Sequence, residues 1–202
     1  MAEIYVKTSS SSSSNNSSYI TSRRESFTLW MKSLMFHQKG CTVYDSNGNL
    51  VYRIDNYGQK CTREVDLMDV GGNVLFSIQQ IKKIPFLGHW DVSKWNGNGK
   101  VMKKIPSFQV KKYGKDLNTY VVSLLHDGDE ACCYLIQGGA SEKSAFRISD
   151  IKGIPIAEVK QKQSSSGVNF GEDVLSLVVE PQVDHSLVMA LVTVYELINR
   201  KL

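Results

Sequence analysis

The sequence predicts a mainly β domain, in which short antiparallel strands form a barrel or a sandwich around one apolar C-terminal helix. Three observations predict this class. Apolar runs of about four to eight residues alternate with clusters of Gly, Asn and Asp. One hairpin-turn pattern occurs three times, and a long apolar segment near the C-terminus breaks the strand pattern.

The strands are predicted from runs rich in Val, Ile, Tyr and Phe that end at turn-forming residues. Their spacing favours an all-β barrel or sandwich over alternating strands and helices. The thirteen predicted strands are 27–36, 41–45, 50–54, 65–70, 74–81, 88–95, 100–105, 108–113, 119–126, 131–137, 145–150, 154–162 and 174–180.

The repeated turn consists of an Asp followed three residues later by a Gly. An Asp side chain opens such a turn by accepting backbone N–H groups, and Gly takes the position with positive φ. Three hairpins of one design predict an up-and-down β topology, and turn chemistry accounts for these aspartates better than catalysis does. The three pairs are Asp45/Gly48, Asp69/Gly72 and Asp150/Gly153.

The C-terminal segment 186–198 (SLVMALVTVYELI) contains a single charged residue, Glu196. Asp184 is placed to cap a helix that begins at His185. Such a helix is apolar on nearly every face and must be buried on all sides. It is shorter than the roughly 20 residues that span a bilayer, and a closed barrel offers an interior for it. A central strand pair and a C-terminal membrane anchor are the alternatives.

The predicted domain covers residues 26–202, and residues 1–25 are predicted to be a disordered Ser-rich N-terminal segment. The chain starts without a secretory signal pattern, and Ala2 is incompatible with N-myristoylation. Four cysteines are too few for a disulfide scaffold, so we expect reduced thiols. These features favour a cytoplasmic protein, with a membrane-peripheral or nuclear location as variants.

The central part of the chain, residues 82–115, is strongly basic. It holds nine lysines against one acidic residue, Asp91, which gives a charge of +8 within a chain whose net charge is +4. Trp90, Trp95, Phe108 and Tyr113 lie among these lysines, a pattern that suits an anionic membrane surface, a phosphoinositide headgroup or nucleic acid. Solvated outward faces and protected sheet edges are the alternative explanation. The candidate lipid-binding residues are Lys82, Lys83, Lys94, Lys100, Lys103, Lys104, Lys111, Lys112 and Lys115.

Catalytic and metal-binding patterns are weak. The sequence has no G-x-S-x-G, P-loop or H-E-x-x-H motif, and its four histidines are scattered. We therefore expect no catalytic residues, no metal and no cofactor. Cys132 and Cys133 are adjacent on a predicted strand, so one is expected in the core and the outward one is a candidate for acylation. The acidic stretch 127–130 is expected to be a solvated hairpin tip.

Three segments resemble a known family: 29–57 (LWMKSLMFHQKGCTVYDSNGNLVYRIDNY), 64–78, and 171–198 with its ending VDHSLVMALVTVYELI. They are similar to the plant LURP-one-related family, which shares the tubby-like fold with tubby C-terminal domains and phospholipid scramblases. The resemblance implies a closed antiparallel β-barrel of roughly twelve strands that encloses the C-terminal helix. It also implies a link to plant defence and supplies no catalytic residues.

The lysine pattern of residues 82–115 and the family resemblance together favour a non-enzymatic barrel that docks on anionic phospholipid or phosphoinositide. Two alternatives stay open: a nuclear protein that binds DNA or a transcription partner, and a protein-interaction domain that binds no lipid.

Overall fold

The computed structural model describes residues 19–31, 40–55, 64–82, 88–95, 106–114, 118–126, 129–139 and 145–199. Within them the chain forms twelve β-strands and one α-helix. The elements are β1 Glu25–Trp30, β2 Gly40–Tyr44, β3 Leu50–Asp55, β4 Glu64–Asp69, β5 Val74–Lys82, β6 Gly88–Lys94, β7 Phe108–Lys112, β8 Thr119–His126, β9 Asp129–Gly138, β10 Phe146–Asp150, β11 Pro155–Gln161, β12 Val174–Val179 and α1 His185–Ile198.

Each strand pairs antiparallel with its neighbours in sequence, and β12 pairs with β1 to close a barrel. The prediction of a mainly β, up-and-down barrel is confirmed, and the sandwich alternative is wrong. Twelve of the thirteen predicted strands overlap observed ones. The remaining one, 100–105, lies outside the described residues, and β6 pairs directly with β7.

Alternation along the strands separates the barrel interior from its outer wall. In β12, Leu175, Leu177 and Val179 are buried, and the residues between them are half-buried. At the closure, Phe27 of β1 stands opposite Leu177. Because successive side chains of a strand point to opposite faces, this pattern fixes which residues fill the core.

The three Asp-Gly turns have a common geometry. The Oδ1 atom of Asp45 accepts backbone N–H groups two and four residues later, at 2.8 Å each. Asp150 makes the equivalent bonds at 2.9 and 2.8 Å. Asp69 accepts from the backbone N–H of Asn73 at 2.9 Å. The glycines have φ of 81° to 82°. The side-chain amide of Asn49 holds the pKa of Asp45 below its usual range, so these carboxylates serve the turns.

A fourth turn of the same design joins β11 to β12, with Ser164 in the place of the Asp. The hydroxyl of Ser164 accepts the backbone N–H of Val168 at 3.1 Å, and the carbonyl of Ser164 accepts the N–H of Gly167 at 2.9 Å. Gly167 has φ of 80°. The prediction missed this turn because Ser opens such turns less strongly than Asp.

Helix α1 occupies the barrel interior. Asp184 caps it by accepting the backbone N–H groups of Ser186 and Leu187. Residues 188–194 are all buried, which places every face of the helix against the strands. The predicted helix and its cap are confirmed, and the central strand pair is wrong. None of the described helices is long and apolar enough to cross a membrane.

The barrel has two distinct ends. At the proximal end, where α1 begins, His185 contacts Tyr52, and the three Asp-Gly turns lie at this end. At the distal end, where α1 ends, Tyr195 lies beneath Gly138. The turn that follows β7 and the hairpin at residues 162–170 belong to the distal end, because consecutive strands run in opposite directions.

The folded structure starts earlier than the predicted boundary at residue 26. The carbonyl of Tyr19 accepts the N–H of His185 at 2.9 Å, and that of Thr21 accepts the N–H of Gln182 at 2.8 Å. The ring of Tyr19 packs against Tyr52 and His185. The predicted disordered segment therefore extends too far, because the Tyr19 ring covers the apolar start of α1. Residues 1–18 lie outside the described residues.

Candidate functional site

The structure describes the side chains of three of the nine candidate lysines, and these three side chains do not lie on one face of the barrel. They are Lys94 on β6 and the pair Lys111 and Lys112 on β7. Lys82 is the last residue of β5. The other candidates, Lys83, Lys100, Lys103, Lys104 and Lys115, lie outside the described residues.

Lys94 has a structural role at the proximal end. Its Nζ lies 3.7 Å from the Oδ2 atom of Asp184, the residue that caps α1. The same ammonium stands 5.8 Å from the centroid of the Phe76 ring. Lys94 therefore joins β6 to the start of the helix, and its charge already has a partner.

Lys111 and Lys112 lie toward the distal end. The register pairs Trp90 with Val110, so Lys94 and Lys112 extend from that pair in opposite directions. At about 3.4 Å per residue, the six positions between them amount to about 20 Å along the strands. Lys112 is exposed and Lys111 half-exposed. Of the candidate lysines whose side chains the structure describes, this pair belongs to the distal end.

The four aromatic residues that lie among the lysines in sequence also differ in their exposure. Trp90 is buried, and Phe108 packs against the core. Trp95 lies half-buried, and its Nε1 donates to the Ser77 hydroxyl at 2.8 Å. Tyr113, directly after Lys112, is 58% exposed. Tyr113 is thus the one described aromatic of the basic segment that solvent or a partner can reach.

A second exposed apolar site lies at the distal end, on the fourth turn. Val168 and Phe170 stand two residues apart and are 65% and 56% exposed. The bonds from Ser164 N to Val168 O at 2.8 Å and from Phe170 N to Lys162 O at 3.0 Å hold them on a hairpin. The sequence did not predict a functional role for either residue. The spacing of Ser164 and Gly167, which copies that of the Asp-Gly turns, is the signal that locates them.

The proximal end also exposes apolar side chains but surrounds them with carboxylates. Val70 and Ile151 stand directly after the turn residues Asp69 and Asp150. Because those turn carboxylates are held by hydrogen bonds at the tips of the hairpins, the proximal end carries fixed negative charge beside its apolar side chains.

His185 forms the main polar contact in the proximal interior. Its Nδ1 atom lies 2.6 Å from the hydroxyl of Tyr52. Burial lowers the pKa of His185, although Asp184 and Glu25 act in the opposite direction. Burial raises the pKa of Tyr52. A neutral imidazole bonded to a neutral phenol stabilises the helix start and offers no activated nucleophile.

His89 lies on the outer wall, where its Nε2 atom is 3.3 Å from Asp91 Oδ1. The side-chain amide of Gln109 donates to the same oxygen at 2.9 Å. This cluster links β6 to β7 and contains no Ser, Thr or Cys. Among the described residues, no group of three His, Cys, Asp or Glu side chains is arranged to hold a metal ion.

The cysteines do not follow the predicted pattern of one inside and one outside. Val122 pairs with Tyr134 and Ser123 with Cys132, so Cys133 is the extra residue of a bulge in β9, which interrupts the alternation. Cys132 is exposed and Cys133 half-buried, so the expectation of a core residue is wrong. Cys41 is the buried thiol, and its pKa is raised by burial first and by Glu196 second.

Comparisons with known proteins agree with each other. The sequence profile of the LURP-one-related family matches residues 25–196. Proteins LURP-one-related 3 and LURP-one-related 2 of Arabidopsis thaliana are each 43% identical over 186 residues, which is 91% of this chain and 84% of the relative. Protein LURP-one-related 11 of the same plant is 40% identical over 200 residues, 95% of this chain and 85% of the relative.

One solved structure has the same fold. An X-ray structure of another Arabidopsis thaliana protein superimposes with a TM-score of 0.64 and covers 90% of this chain and 94% of its own. Its sequence is 18% identical, so this likeness concerns the fold alone.

Proposed function

The chain belongs to the LURP-one-related family, and on that premise we propose that it is a non-enzymatic barrel protein that docks on anionic phospholipid, phosphoinositides included. Docking uses the basic segment 82–115 and places the protein at the cytoplasmic face of a membrane. A contribution to plant defence signalling, which the resemblance implied, belongs to the same proposal.

The observation that carries the proposal is the run of Lys111, Lys112 and Tyr113 at the distal end of β7. Lys112 and Tyr113 are exposed at the end of the barrel. Lysine supplies attraction to anionic headgroups, and a tyrosine ring suits the boundary between water and acyl chains. The +8 charge of the segment extends this attraction beyond the described residues.

The geometry restricts which lysines dock. Lys94 faces Asp184 and Phe76, so its removal acts on stability more than on lipid binding. The proposal therefore depends on the β7 pair and on the lysines outside the described residues.

Charge reversal tests the proposal. Each lysine near an anionic surface contributes about 1 kcal/mol, so Lys111→Glu/Lys112→Glu should weaken binding to phosphatidylserine vesicles more than tenfold. Lys152→Glu, at an exposed residue of the proximal end, is the charge-reversal control, and the single variant Lys112→Glu is matched to it. Lys162 is unsuitable as a control, because its Nζ donates to Thr28 Oγ1 at 2.6 Å.

The results separate the alternatives. Binding that falls steeply with salt and is lost only in the β7 variants supports docking. Equal loss in Lys112→Glu and Lys152→Glu means that net charge alone matters. Absence of vesicle binding by the unaltered chain refutes the proposal, and a salt-dependent shift of duplex DNA would then favour the nuclear alternative.

The lysines outside the described residues need a separate variant. Lys103→Glu/Lys104→Glu should also weaken vesicle binding more than tenfold if they share the docking surface. A variant that keeps full affinity would restrict docking to the β7 side of the segment.

A further inference from the structure

We infer that the distal hairpin, residues 162–170, is a second membrane contact, which inserts Val168 and Phe170 into the surface of an anionic phospholipid bilayer. This inference rests on the proposed function and deepens it, because it names the end of the barrel that faces the lipid and adds an apolar anchor to the lysines.

The four turns of one design provide an internal comparison. The fifth position of the turn is Asn49 in one copy and Asn73 in another, and each side-chain amide bonds back to its Asp. In the third copy, at the proximal end, it is Ile154, which is 58% exposed. The same position of the distal hairpin holds Val168, with 65% of its surface exposed. A polar residue satisfies the turn geometry, so the fold does not require an exposed valine there.

Phe170 strengthens the point. Its side chain is 56% exposed. The hydrogen bonds of the hairpin involve only its backbone, so a polar side chain would fit this outward position equally well. Val168 and Phe170 are separated by one residue, and Asn169 between them forms the bridge to Gln163. Alternate residues of a strand share a face, so the two apolar side chains project together. A projecting apolar pair of this kind marks a contact surface.

Charge decides which end of the barrel meets an anionic bilayer. The proximal end exposes Val70 and Ile151 beside the turn carboxylates Asp69 and Asp150, which an anionic leaflet repels, and its exposed Lys152 offsets only one of these charges. The distal end carries Glu172 and Asp173 after Phe170, and against them the lysines Lys112 and Lys160 and the exposed Tyr113. An end that carries apolar and aromatic tips together with exposed lysines is complementary to an interface of acyl chains and anionic headgroups.

The test uses the full chain and vesicles of phosphatidylcholine with and without phosphatidylserine. Val168→Ser/Phe170→Ser should weaken binding about tenfold, since two partly inserted apolar side chains are lost. The salt dependence of the remaining binding should match that of the unaltered chain, because no charge changes. Val70→Ser/Ile151→Ser, two exposed apolar residues of the proximal end, is the matched control and should bind normally.

A second measurement reports insertion directly. In Phe170→Trp, the added fluorescence should shift to shorter wavelength on vesicles and should be quenched by lipids with brominated acyl chains. Thermal melting of each variant checks that the fold is intact. We expect unchanged melting temperatures, because the replaced side chains are exposed.

The outcomes distinguish this inference from the proposed function. If the unaltered chain binds and Val168→Ser/Phe170→Ser binds equally well, the hairpin is no anchor and lysine docking stands. Equal loss in the proximal control overturns the assignment of the distal end. If the unaltered chain binds no anionic vesicle, both proposals fall, and the exposed hairpin would instead fit a protein partner.

Discussion

Leu191→Ala should lower the free energy of unfolding by about 3 kcal/mol, because it opens a void in the centre of the barrel. Leu191 has 0% of its surface exposed and lies among buried neighbours on every side of α1. Loss of three carbon atoms from such a site costs about 2 kcal/mol in transfer free energy. The void that remains raises the total to about 3 kcal/mol. The melting temperature of a domain of this size should then fall by about 6–12 °C.

Urea denaturation followed by tryptophan fluorescence measures the effect, since the buried Trp90 reports on the core. Leu124→Ala makes the same chemical change at a residue that is 36% exposed, and should cost less than about 1 kcal/mol. Equal small losses in the two variants would refute the placement of α1 in the core. Leu191→Asp gives an independent check: a buried carboxylate without a partner should prevent soluble folding. A soluble Leu191→Asp chain that melts cooperatively would refute the same point.

Three further predictions concern other contacts. Gly138→Ala should destabilise the fold, because the new Cβ would lie 2.5 Å from the Tyr195 hydroxyl. In a double-mutant cycle measured by urea denaturation, Tyr195→Phe should recover part of the lost stability. If the effects of the two substitutions simply add, the clash is contradicted. Because the pKa of His185 is lowered in the folded state, its contribution to stability is complete above its unfolded pKa and is lost as pH falls through its folded pKa. In His185→Gln, the urea midpoint should therefore decrease less on acidification than in the unaltered chain. An unchanged pH dependence of the midpoint would show that another group is responsible. Deletion of residues 1–18 should change the melting temperature little. Tyr19→Ala should lower it, because the Tyr19 ring packs on the start of α1. If both changes have negligible effects on the melting temperature, Tyr19 contributes nothing to the fold.

The elements that sequence predicted well are those with local causes. The turn at Asp45 needs only an acceptor side chain and a glycine three residues later, so its hairpin is visible in the chain. The cap at Asp184 and the apolar run behind it are equally local. The fourth turn escaped because its opening residue, Ser164, uses a hydroxyl for the same bond.

The candidate site was predicted less well, because its members are close in sequence and distant in space. Lys94 and Lys112 belong to one basic segment, yet the antiparallel pairing of β6 and β7 sends them to opposite ends of the barrel. The bulge at Cys133 shifts the inside-outside alternation in a way that composition does not reveal. Val168 and Phe170 are ordinary apolar residues until their exposure is known.

The sequence by itself determined the strand-rich class, the Asp-Gly turns, the cap at Asp184 and the burial of a largely apolar helix, because each depends on interactions within a few residues of the chain. The tertiary structure alone decided the contact of Tyr19 with the start of α1, the partner of Lys94 and the end of the barrel at which Tyr113 and Phe170 project. The physical reason is that neighbouring strands reverse direction and the barrel closes β1 onto β12. Which side chains share a surface is therefore fixed by pairing across the whole chain, and not by their separation along it.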